Sequence, residues 1–245
     1  MKLIKYLEEK FNVAQPGDTT WSHAVNSREK LARFLNNPAA MFIESDIRLS
    51  LSQCVPVAVH PPETESDLLF TELVDKMRES KQGLKLDFKD PEILIGCLEA
   101  LGRAPLSQPV LLNADILQGN GANPSKFSAS GFLELCKRYY PDGILSIGWT
   151  TTANPELGYT AQNIDAMIEL CKGLQEVTFP VRACLLPNSW AELQRLMKGK
   201  EGYTLTVWNN EPVSDELRDW IRKNTDPAKT FYDFIDEKKD PLKLW

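Results

Sequence analysis

Residues 83–90, GLKLDFKD, place a charged side chain at every second position of a short apolar run: Lys85, Asp87 and Lys89. Successive side chains of a β-strand point to opposite faces, so these three share one face and Leu84, Leu86 and Phe88 the other. The pattern recurs in MFIESDI (41–47), where Glu44 and Asp46 share a face, and in PVLLNADIL (109–117), where Asn113 and Asp115 do. Five further β-rich runs follow the same scale: TTWSHA (19–24), GILSIGW (143–149), VTFPVRA (177–183), YTLTVW (203–208) and KTFYDF (229–234).

Segments with helical spacing and N-cap residues fill the intervals: NSREKLARFL, SDLLFTELVDKM, DPEILIGCLEAL, SASGFLELCKRYY, YTAQNIDAMIELCKGL, NSWAELQRLM and SDELRDWIRKN. One extra apolar run, VPVAVH (55–60), reads as a hairpin-like insertion after the second strand. Eight strands alternating with helices in 245 residues predict an α/β fold, a single (β/α)8 TIM barrel spanning 1–245 with its core at about 18–235. An open doubly wound sheet would need a glycine-rich phosphate turn after the first strand, and WSHAVNS has no glycine.

Composition narrows the function. The net charge of −6 argues against a broad basic face for duplex nucleic acid. No stretch reaches the ~18 apolar residues of a membrane span, and MKLIKYLEEK lacks a signal-peptide core, so the expected location is cytoplasmic. Cys54, Cys97, Cys136, Cys171 and Cys184 are widely spaced and form no C-x-x-C pair, which predicts reduced, structural thiols rather than a zinc site.

Catalytic groups of a TIM barrel sit at the C-terminal strand ends. Those ends supply His23 and Asn26 from the first strand, Glu44 and Asp46 from the second, His60 from the insertion, and Lys85, Asp87 and Lys89 from the third. Asn113 and Asp115 come from the fourth, and Trp149, Arg182 and Trp208 from the next three. Several acids converging on one mouth need counter-charge, because each unpaired buried carboxylate costs several kcal/mol, roughly. Hard carboxylate oxygens suit a divalent cation, with Glu44, Asp46 and Asp87 as its ligands. Mg²⁺ is the first expectation, Ca²⁺ or Mn²⁺ the alternatives. A metal-free network, Asp87 with Lys85 or Lys89, is the competing reading.

The only two histidines, His23 and His60, each end a short apolar run, and imidazole exchanges protons near neutral pH. Lys85, Lys89 and Arg182 are expected to face phosphate oxygens, Asn26 a phosphate or a second layer, and Asn113 and Asp115 a substrate hydroxyl or water. Trp149 and Trp208 are candidate pocket walls, with core packing as the alternative for each.

In order along the chain, TWSHAVNS, IESDI, VHPPETESD, GLKLDFKD, LLNADIL, LSIGWTT, VTFPVRA and LTVW together resemble the menorin family in its short form without a membrane anchor. That family is similar to the phospholipase-C-like phosphodiesterase superfamily, which includes glycerophosphodiester phosphodiesterases and spider-venom phospholipases D. The resemblance implies that His23 and His60 are the catalytic pair, Glu44, Asp46 and Asp87 the metal ligands, Lys89 a catalytic lysine and Trp208 the late-strand tryptophan. It implies a phosphodiesterase acting on a small phosphodiester: a glycerophosphodiester, a lysophospholipid or a ribose-linked or cyclic phosphate. The sequence departs from glycerophosphodiesterases where Ala24 and Val25 replace an Arg and a Gly after the first histidine, where Asp87 replaces a Glu, and where Pro61 and Pro62 follow His60. A non-catalytic module that binds a phosphorylated ligand in the same pocket is the rival class.

Overall fold

A computed structural model describes residues 2–233. Eight parallel strands form the barrel: β1 (Trp21–Ser22), β2 (Phe42–Leu49), β4 (Gly83–Phe88), β5 (Val110–Leu117), β6 (Ile144–Trp149), β7 (Glu176–Arg182), β8 (Gly202–Trp208) and β9 (Thr230–Asp233). They lie in that order around the sheet. All eight predicted runs are strands, although the first contributes a ladder of only two residues and Phe234 of the last lies outside the described residues. The predicted insertion is β3 (Pro56–Ala58), an antiparallel partner of β2 with Ile47 opposite Ala58.

The helices are α1 (Lys2–Phe11), α2 (Arg28–Leu35), α3 (Phe70–Arg78), α4 (Leu94–Arg103), α5 (Ala129–Tyr139), α6 (Ala161–Leu170), α7 (Leu186–Met197) and α8 (Asp215–Asn224). Local chemistry sets several starts. The side chains of Ser27, Ser128, Thr160 and Ser214 accept from the backbone of the first turns of α2, α5, α6 and α8. Pro91 opens a 3-10 turn ahead of α4.

The sequence reading assigned no helix to the first residues, yet α1 forms and seals the N-terminal end of the barrel. Its Leu3 and Leu7 are fully buried in a cluster with Trp21, Phe42, Leu111, Ile144 and Phe231. This plug closes the end away from the strand C-termini, leaving one open mouth. Among the described residues no ladder joins β9 to β1, and side chains close the seam instead. The Trp21 and Phe231 rings meet edge to face at 5.8 Å, and His23 meets Asp233.

All five cysteines are free. Burial pushes the thiols of Cys136 and Cys171 up to about 12, as expected of inert packing residues. Cys54 departs from the expectation of a structural thiol, since it is exposed in the turn between β2 and β3 with φ at 54°.

Two predictions follow from this packing. The Phe42 ring fills the space that any Cβ at Gly83 would occupy. Gly83→Ala should therefore destabilise by about 1–3 kcal/mol, and adding Phe42→Leu should recover part of that loss in a urea-melt double-mutant cycle. In the β2–β3 turn, the Glu65 carboxylate accepts from Ser50 Oγ at 2.7 Å, Ser52 N at 3.0 Å and Ser52 Oγ at 2.7 Å. These bonds lower the carboxyl to about 2. A depressed folded-state pKa means that the turn gains stability above the ordinary carboxyl value, ~4.3, and loses it as pH falls through the lowered one. The Ser52 amide resonance should then titrate with a midpoint near 2, and a midpoint near the ordinary value would show that Glu65 does not tie the turn.

Candidate active site

Parity along each strand aims the chemistry inward. Lys85 on β4 and Asp233 on β9 approach to 3.5 Å although their strands are not neighbours, so the contact crosses the barrel interior. Glu44 and Asp46 share the inward parity on β2, and Asp46 lies in register with Asp87 on β4, which lies in register with Asn113 on β5. One oxygen from each of Glu44, Asp46 and Asp87 comes within 4.8 Å of the others.

His23 stands just past β1, at the rim of this cluster. Its Nδ1 lies 3.3 Å from Asp233 and 3.4 Å from Glu44 Oε2. The next residue, Ala24, turns the chain with φ at 52°, and its N–H donates to Glu44 Oε2 at 2.8 Å. Burial would lower the His23 imidazole, but the Glu44 and Asp233 carboxylates outweigh burial and raise it to about 9. Asp233 is the functional residue the sequence reading missed. Its signal was present, as an acid at the end of an apolar strand, the same pattern that singled out Asp115.

Lys89 bridges two acids, with Nζ 2.6 Å from Asp87 Oδ2 and 3.0 Å from Asp46 Oδ1. Against the effect of burial, Asp87 and Asp46 raise its ammonium well above the ordinary lysine value. Burial would raise Asp46, yet Lys89, the Asn26 amide and His60 hold it below the usual carboxyl value. Burial, with Asp87 adding to it, pushes Asp115 up to about 7. His60 follows β3 and is exposed, with Nδ1 2.5 Å from Pro61 O. A carbonyl can only accept, so that nitrogen carries the proton and Nε2 is left as the exchanging atom.

The remaining predicted residues divide by depth. The Asn26 amide is committed to Asp46: Nδ2 donates to Asp46 Oδ2 at 2.8 Å, while Oδ1 accepts from Asp46 N at 3.0 Å. Lys85 is 3% exposed and lies beneath the cluster on Asp233. Asn113 is buried and accepts from Ser146 Oγ at 2.5 Å. Arg182 and Trp208 end β7 and β8 in register, both partly exposed. Trp149 is not brought to the mouth. Ser146 and Gly148 hold the inward parity of β6, so Trp149 points to the helical layer, where Nε1 donates to Asn163 O and the ring packs on Tyr159.

The donor set fits a divalent cation. Glu44, Asp46, Asp87, Asp115 and Asp233 are five carboxylates around one mouth, where Lys85, Lys89, Arg182 and the imidazoles of His23 and His60 are the bases. Burial pushes the Glu44 carboxyl, like that of Asp115, up to about 7, so the charge on the cluster depends on pH. The three acids that converge are hard oxygen donors of the kind Mg²⁺ and Ca²⁺ take. Lys89 makes the bridges that a purely lysine-bridged network requires.

The Menorin N-terminal domain family model matches residues 17–239. The chain is 36% identical over 242 residues to Protein FAM151B of Homo sapiens, covering 92% of this chain and 86% of that protein. Among solved structures, the catalytic domain of a hyperthermophilic chitinase from Pyrococcus furiosus matches with a TM-score of 0.53 at 15% identity, over 88% of this chain and 82% of that one. The GH26 domain of an endo-beta-mannanase/endo-beta-glucanase from Prevotella bryantii matches with a TM-score of 0.51 at 11% identity, over 99% and 90%. At such identities the structural likeness shows the barrel fold alone. With a family model covering most of the chain and a relative matching along nearly all of it, the chain belongs to the menorin family.

Proposed function

We propose that this protein is a phosphodiesterase that cleaves a small phosphodiester by acid/base catalysis between two histidines at a divalent cation. The observation that carries the reading is the convergence of Glu44, Asp46 and Asp87 beside His23. Bound by these three carboxylates, the cation supplies charge neutralisation at the non-bridging phosphate oxygens.

The side chains account for the rest. Asp233 and Glu44 hold Nδ1 of His23, which leaves Nε2 as the nitrogen that faces the mouth. Pro61 O holds Nδ1 of His60, and Nε2 is again the exchanging atom. One imidazole takes the proton from an attacking hydroxyl, of water or of the substrate itself, and the other protonates the leaving oxygen. A vicinal substrate hydroxyl as nucleophile gives a cyclic phosphate. Lys89 stands on the edge of the cluster with Nζ directed at two acids, where it also neutralises charge on a bound phosphate. Asn26 fixes Asp46 through both ends of its amide, so it orients a ligand instead of touching substrate.

Turnover of glycerophosphodiesters, lysophospholipids and ribose-linked phosphodiesters with Mg²⁺, Mn²⁺ or Ca²⁺ tests the reading. His23→Ala and His60→Ala should each lower kcat by about 10²–10⁴ on the substrate that is cleaved. No cleavage in the panel, or His23→Ala indistinguishable from wild type, sinks the enzyme reading for these substrates.

Cation binding is checked separately by thermal unfolding. Wild-type Tm should rise with added Mg²⁺, because a ligand that binds only the folded state stabilises it in proportion to RT ln(1 + [L]/Kd). Asp87→Asn should flatten that response, whereas Asp142→Asn, at an exposed surface pair, should leave it intact.

A further inference from the structure

Among the described residues most cations around the mouth have carboxylate partners, while Lys30 Nζ donates to Ala24 O at 3.2 Å. Lys85 pairs with Asp233, Lys89 with Asp46 and Asp87, and Arg48 with Asp90. Arg182, at the end of β7, has no carboxylate partner among the described residues, and its buried Nε has no hydrogen-bond partner there. Its guanidinium lies instead over the Trp208 ring, 5.6 Å from the centroid. A guanidinium partly withdrawn from water without an acid loses hydration that only a ligand or a π-face can replace. Next to Trp208 in the chain, Asn209 Oδ1 is buried with no hydrogen-bond partner among the described residues, while its Nδ2 donates to Glu211 O at 2.9 Å.

The register places this pair relative to the chemistry. Arg182 lies opposite Trp208, Trp208 opposite Asp233, and Asp233 holds His23. Two strand spacings, roughly 10 Å, therefore separate the backbone of Arg182 from that of Asp233. Side chains converging across the mouth shorten that gap to the span of a small headgroup. The strands that lead there, β6 to β8, turn Ser146, Gly148, Thr178, Pro180 and Thr206 inward, all small or uncharged.

We infer that Arg182 and Trp208 form a headgroup subsite that selects phosphodiesters whose esterified alcohol carries a second, anionic group, with a carboxylate as the reference case. This inference rests on the proposed phosphodiester reading and adds the substrate class. Bidentate pairing with a carboxylate is the chemistry a planar guanidinium offers. The same geometry disfavours a quaternary ammonium headgroup, because Arg182 already covers the tryptophan face that would attract it.

O-phosphoserine and O-phosphoethanolamine differ only by the carboxylate, and as monoesters they are not substrates for diester cleavage. Calorimetry with Mg²⁺ should show phosphoserine binding tighter by about tenfold or more in the wild type. Arg182→Gln should bring the ratio close to one, and Arg182→Lys, which keeps charge but loses the planar fork, should fall between. A wild-type ratio near one, failure of both ligands to bind, or an unchanged ratio in a folded Arg182→Gln overturns the inference. The wild-type ratio decides even if that variant fails to fold. Turnover of glycerophosphoserine against glycerophosphoethanolamine separates the two readings. Cleavage of both without preference defeats the subsite and keeps the enzyme, and a binding preference without cleavage does the reverse.

Discussion

Crowding five acids around one barrel mouth is the constraint on which the rest of this molecule depends. Removing a single carboxylate from water costs several kcal/mol, of that order, unless geometry returns it. The fold meets this demand residue by residue. Lys85 reaches across the interior to Asp233, Lys89 joins Asp46 to Asp87, and the backbone N–H of Ala24 and the amide of Asn26 satisfy further oxygens. The partners come from the ends of β1 and β4 and the acids from β2, β4 and β9, so the polar cluster ties these strands together at the seam that no ladder closes among the described residues. Three of the acids, Glu44, Asp46 and Asp87, still bring oxygens within 4.8 Å of one another, a donor set that suits a cation.

Much of this was legible in the sequence because a strand has period two. Once GLKLDFKD is read as a strand, Lys85, Asp87 and Lys89 must share a face, and the same holds for Glu44 with Asp46 and for Asn113 with Asp115. A parallel barrel buries both faces of its strands, so charged residues at alternate positions can only be interior or functional. The short run VPVAVH was separable from the barrel strands because polar residues interrupt the chain before it, and it pairs back on β2 to bring His60 to the rim.

The parts that were not legible depend on contacts between segments far apart in the chain. Helix α1 has an ordinary amphipathic pattern, and nothing local says that Leu3 and Leu7 plug a barrel whose floor comes from Trp21, Phe42, Leu111, Ile144 and Phe231. Trp149 illustrates parity again. Counting from Ser146, which faces Asn113, assigns Gly148 to the interior and Trp149 to the helices, whereas its place at a strand end suggested a pocket wall. Of the two places expected for Asn26, a phosphate or a second layer, its bonds to Asp46 match the second, whereas Lys85, expected to face phosphate oxygens, is engaged by Asp233, a tertiary pairing that spacing alone does not encode.

The interior is also divided by chemistry. From β9 through β1 to β5 it carries the histidine, the lysines and the acids, whereas from β6 to β8 it carries glycine, proline, serine and threonines until Arg182 and Trp208 at the rim. Gly148 sits at the boundary. A Cβ there would fall 2.8 Å from Pro180 Cγ and 3.3 Å from Asp115 Oδ1, so any larger residue would press on the last acid of the charged half. In the charged half Lys85, Lys89, Asp46, Asp87 and Asp233 are each held by an oppositely charged neighbour, which fixes their geometry. A half lined with small residues leaves volume beside them. The division therefore sets a side crowded with paired charges against a side lined by small residues, with the Arg182 guanidinium over Trp208 at the rim of the latter.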